Sequence, residues 1–101
     1  MSLHPCLTKE VVTNIDVAQF IISLSKTAEF VLKHNPTQTD IKSSIENYQA
    51  IALKLTNNLP LSPSDISEIK QSLENQIFIV KAGHFNENIT GIENYLNQFN
   101  S

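Results

Sequence analysis

The sequence predicts an all-α fold, an up-and-down four-helix bundle, and three observations carry that reading. One hexapeptide formula recurs along the chain, apolar residues repeat at helical steps after each recurrence, and 101 residues leave room for one modest core. The formula is an apolar residue or proline, a Ser or Thr, two free positions, an Asp and a β-branched residue. It reads VTNIDV at 12–17, PTQTDI at 36–41 and LSPSDI at 61–66. This is the chemistry of a helix start. The hydroxyl accepts from a backbone N–H three residues on, and the acid at that position reaches back to the N–H of the cap.

The first 12 residues precede the first start and are expected to be partly flexible or packed on the first helix, with 13–101 as a single helical domain. Thr13 then caps helix 1, near 14–34, with Asp16 completing the box and Val12 and Val17 as its hydrophobic staple. Its apolar stripe is Val17, Ile21, Leu24, Ala28 and Val31, in steps of four and three. Pro36 discourages that helix from continuing. Thr37 and Asp40 open helix 2, near 38–57, whose stripe is Ile41, Ile45, Tyr48, Ala52 and Leu55. Ser62 and Asp65 open helix 3, near 63–82, with Pro63 at the first helical position, where a missing N–H costs nothing. Its stripe is Ile66, Ile69, Leu73, Ile77 and Val80.

Gly83 is expected to end helix 3 in a left-handed conformation, and Asn86 to cap helix 4, near 87–99. Phe85, Ile89, Ile92, Leu96 and Phe99 form the last stripe. QIFIVKAG at 76–83 is rich in β-branched and aromatic residues, so a strand there, or one long helix running through Gly83, competes with the four-helix reading. The segment KAGHFNENI resembles the inter-helix turn of a tetratricopeptide unit. A repeat of one helix rather than a helix pair does not fit that family's period, so the resemblance implies shared turn chemistry and no solenoid.

Composition narrows function mainly by exclusion. Net charge is −3, the seven cations are all lysines set singly along the chain, and there is no arginine. A phosphate-binding face or a polybasic membrane patch needs clustered cations, so neither nucleic acid nor membrane is an expected partner. No apolar run exceeds four residues, and the N-terminus lacks the pattern of a secretory signal. With Cys6 as the single cysteine, a cytoplasmic location is expected.

Catalytic and metal-binding patterns are missing. His4, His34 and His84 have neither zinc-finger spacing nor a helical His-x-x-x-His arrangement. His34 and His84 also lack the Lys and Gly that follow the reactive histidine of phosphotransfer bundles. Two glycines cannot build a phosphate-cradling loop, and the serines fall at caps or on helix surfaces. No enzyme activity, cofactor or metal is expected.

The residues that point to a function are apolar ones off the stripes. On a helical wheel Phe30 projects opposite the helix 1 core and Ile22 lies at its margin. Leu53 sits about a third of a turn off the helix 2 core, and Phe78 falls among Ser67, Gln71 and Glu74. Single exposed apolar residues are ordinary, but four on a small domain suggest a contact surface. The expectation is a protein–protein interaction module of the adaptor, chaperone or immunity type, binding another protein or a second copy of itself through Phe30, Phe78, Leu53 and Ile22. In the competing reading, the N-terminal segment covers Phe30 or Ile22 with Leu3, Cys6, Leu7 and Val11. The alternative function is a small-ligand-binding bundle, or a minor enzyme, with Tyr48 lining a pocket inside it; a core tyrosine with its hydroxyl at the edge is the competing reading of Tyr48, and a small molecule is not the expected partner.

Overall fold

In the computed structural model, which describes residues 3–83 and 87–99, the chain is all-helical. A 3-10 turn at Pro5–Leu7 precedes four helices: α1 (Asn14–His34), α2 (Thr39–Thr56), α3 (Pro63–Ala82) and α4 (Thr90–Asn97). The bounds of α1 and α3 match the sequence expectation. The span 76–82, where a strand competed, is the last part of α3.

Two of the three recurrent hexapeptides form complete capping boxes. The Asp16 N–H donates to Thr13 Oγ1 at 3.3 Å, and Asp16 Oδ2 accepts from the Thr13 N–H at 2.9 Å. Ser62 and Asp65 repeat the pair at 3.1 and 3.0 Å. PTQTDI departs from the expectation. Asn35 O accepts from the Gln38 N–H at 3.1 Å, closing a turn with Pro36 and Thr37 at its centre. Thr37 is consumed by that turn, so α2 starts at Thr39 with Gln38 as a cap that makes no side-chain bond.

The ends of α3 and α4 also differ from expectation. Gly83 is right-handed (φ −87°, ψ −1°), not left-handed. The expected cap Asn86 and the stripe residue Phe85 lie outside the described residues. α4 begins at Thr90, later than expected, where Asn88 Oδ1 accepts from the Thr90 N–H at 3.1 Å. The left-handed residue among those described is Asn58 (φ 53°), just past α2. The Leu59 N–H donates to Lys54 O at 2.9 Å and the Asn58 N–H to Leu55 O at 3.4 Å, a Schellman closure.

Neighbouring helices run antiparallel. The start of α1 meets the end of α2 through Asn14 Nδ2 donating to Asn58 Oδ1 at 3.3 Å, and Gln49 Nε2 reaches Glu29 Oε1 at 3.2 Å further along. Lys54 pairs with Asp65 at 2.6 Å across the α2–α3 connection. Tyr95 Oη donates to Asn14 Oδ1 at 2.7 Å and ties α4 back to the start of α1. The core is built from Val17, Ala18 and Ile21 of α1, Ile51, Ala52 and Leu55 of α2, Ile69, Leu73 and Val80 of α3, and Ile92, Tyr95 and Leu96 of α4.

The N-terminal segment belongs to this core. Leu3, Leu7 and Val12 are buried, the His4 ring meets Phe20 edge-on at 6.2 Å, and Lys9 pairs with Asp16 at 2.9 Å. It covers Phe20, a buried residue off the predicted stripe, and leaves Phe30 and Ile22 uncovered. Val11, expected among the covering residues, is exposed. Gly91 marks how closely the segment lies on α4. A Cβ there would strike the Lys9 carbonyl oxygen and come within 2.8 Å of Val12 Cγ2.

The molecule is flattened, with extents of 38 × 33 × 19 Å, about two helices thick. α4 has eight residues against twenty-one in α1, so α1 and α2 outrun the short helix. Toward their far end the predicted stripe is incompletely covered: Ala28, Ile41 and Tyr48 are half-buried and Val31 is exposed.

Candidate interaction surface

Every residue of the expected contact set is exposed: Phe78 69%, Phe30 65%, Leu53 61% and Ile22 38%. They do not share one face. Ile22 and Leu53 come together, lining a cleft of about 240 Å³ between α1 and α2 with Gln49, Ala52 and Thr56. Phe78 lines a different cleft of about 410 Å³ between α3 and α4, among Glu74, Ile77, Lys81, Glu93 and Leu96. Phe30 stands beyond both, its ring edge-on to His34 at 4.5 Å in the last turns of α1. Eight residues separate Ile22 from Phe30, which puts Phe30 two turns along and about 80° round the helix.

Two further apolar residues near this end of the helix pair are exposed: Ile15, 55%, in α1, and Leu59, 49%, just past α2. Ile15 lies seven residues before Ile22 and therefore on the same side of α1. Leu59 follows Asn58, whose side chain is bonded to Asn14. Heptad spacing in the sequence was a usable signal for Ile15. Leu59 needed the Schellman turn, which no recurrent motif announced.

This α1–α2 face is free of charge at its centre. Between Asp16 and Lys26 in α1, and between Glu46 and Lys54 in α2, there is no ionisable acid or base except Tyr48, which faces the other side. The two bounding residues nearest the bundle base are engaged elsewhere. Lys54 is held by Asp65, and Asp16 is turned to Lys9 and its own cap. Burial alone would raise the Asp16 pKa, but bonds from Lys9 and Thr13 outweigh it and hold the carboxyl below its ordinary value. At Asp65 the Lys54 bond dominates and lowers the pKa, assisted by the Ser62 backbone.

A third groove, about 350 Å³, runs along the uncovered far end of the pair, lined by Leu24, Ala28, Val31, Ile41 and Tyr48. The Tyr48 hydroxyl pKa is raised, first by burial and then by the nearby Glu68 carboxylate.

Comparison with protein-family models, curated proteins and solved structures returns no match. The site's own geometry is therefore the basis for the functional reading.

Among the described residues, no three His, Cys, Asp or Glu side chains cluster as a metal site. His4 Nδ1 accepts from the Cys6 N–H at 3.2 Å and so caps the 3-10 turn, while His84 lies outside the described residues. Among the described residues, no helix is long and apolar enough to cross a membrane.

Proposed function

We propose that this chain is a non-enzymatic protein–protein interaction module, acting in the cytoplasm, whose partner surfaces are the α1–α2 cleft of Ile22 and Leu53 and, on separate faces, Phe30 and Phe78. The observation that carries this reading is the exposure of all four large apolar side chains while seventeen apolar residues, two of them alanines, are buried among the described residues. Leaving one such side chain in water forgoes roughly 1.5–3 kcal/mol of burial. A pair of them in one cleft is enough to anchor a partner as a hot spot.

Pull-down from the native cell with the wild-type chain and with Leu53→Ser and Phe78→Ser variants tests the reading. Capture is lost in at least one variant while its thermal midpoint stays within about 2 °C of wild type, because neither side chain supports the core. A large drop in either midpoint, or capture unaffected by both changes, overturns the proposal.

The Tyr48 groove supports a second reading, binding of a small apolar ligand with a polar tip. A ligand that binds only the folded state raises the melting temperature with its concentration. A panel of amphipathic small molecules that leaves the midpoint of the wild-type chain unmoved removes this reading.

A further inference from the structure

We infer that the partner of the α1–α2 face is a second copy of this chain, the two copies joined by a two-fold axis that sets Ile22 and Leu53 against their counterparts. The inference rests on the interaction-module reading and names its partner.

The first argument is area. Ile15, Ile22, Leu53 and Leu59, at their observed exposures, leave roughly 350 Å² of apolar surface, scaled from a little less than the 150–250 Å² of a whole large aromatic side chain. An interface of ordinary size covers about 800 Å² on each partner, and in homodimers about 65% of it is apolar. These side chains supply about two-thirds of that apolar area, and the aliphatic parts of Gln49 and Thr56 in the same cleft extend it.

The second argument is charge. A chain of net charge −3 meets its own copy only where like charges are kept apart. The centre of the α1–α2 face satisfies this, since it carries no acid or base; at its rim Asp16 and Lys54 are paired and Glu29 accepts from Gln49, leaving Lys26 and Glu46 as charges of opposite sign. The Phe78 cleft is less suited, because Glu74 and Glu93 both line it and only Lys81 among its lining residues offsets them.

The third argument is shape. A two-fold contact uses the same patch on both copies, so the cleft between the antiparallel α1 and α2 would meet an identical cleft. Two such pairs stacked face to face make a four-helix layer between the copies.

Light scattering across a concentration series, with the wild type, Leu53→Lys and Phe78→Ser, tests the inference. The expected result is a wild-type mass rising from about 11 kDa toward twice that value. Leu53→Lys weakens the association by about tenfold or more, and Phe78→Ser leaves it unchanged. Circular dichroism confirms that each variant remains folded, and Ile22→Lys replaces any that does not. A dimer that persists in Leu53→Lys but is lost in Phe78→Ser overturns the inference and moves the contact to the α3–α4 cleft. A wild-type chain that stays monomeric at the highest concentration also overturns it, while the interaction-module reading then stands or falls on the pull-down.

Discussion

At the scale of single residues, a few side chains tie the ends of the helices together. Tyr95 Oη donates to Asn14 Oδ1, and Asn14 Nδ2 donates to Asn58 Oδ1, so one chain of bonds joins α4, the start of α1 and the end of α2. Tyr95→Phe keeps the ring and removes the first link, which costs about 1 kcal/mol in urea unfolding. Burial pushes the Tyr95 hydroxyl up to about 12 from 10.0. The unfolded chain therefore ionises first, and this stability is fully present below pH 10 and is lost as pH rises toward 12. Tyr95→Phe reduces that alkaline loss. The acid side has the opposite sign. Asp16 and Asp65 are held below 3.8, so their contribution is present above that value and is lost as pH falls through the lowered folded values. Urea midpoints across both limbs check the two signs. Gly91 is the most constrained position. Gly91→Ala forces α4 off the N-terminal segment and costs roughly 1–3 kcal/mol, measured the same way.

At the scale of elements, a cap works only where the preceding turn leaves its residue free. Thr13→Ala and Ser62→Ala each remove a bonded cap and cost about 1 kcal/mol, whereas Thr37→Ala stays within about 0.5 kcal/mol. Urea unfolding of the three variants separates working caps from the unused one. The recurrent hexapeptides were legible because hydroxyl and acid at fixed spacing encode a local structure. What they did not encode was the turn at Asn35–Gln38, where Pro36 draws Thr37 into the bend. The start of α4 was misread for a similar reason: among several asparagines, sequence alone does not show which one bonds the first N–H. IFIV at 77–80 has strand propensity but remains helical, since Ile77 and Val80 continue the stripe of Ile69 and Leu73 into the core.

At the scale of the molecule, a short fourth helix and a core-forming N-terminal segment leave α1 and α2 with an outer face to spare. The wheel correctly placed Ile22, Leu53, Phe30 and Phe78 on the surface, because angular position follows from helical periodicity. It could not group them, since grouping depends on which helices are neighbours. That order pairs Ile22 with Leu53 in one cleft, one heptad along α1 from the exposed Ile15, and sets Phe78 apart. The central claim is that the charge-free α1–α2 face is a contact surface. Backbone amide chemical shifts of the wild-type chain, followed by NMR across a concentration series, test it residue by residue. The account predicts concentration-dependent shifts clustered at Ile15, Ile22, Gln49, Leu53, Thr56 and Leu59. Shifts confined to Ile77, Phe78 and Leu96, or spectra that do not change with concentration, would contradict it.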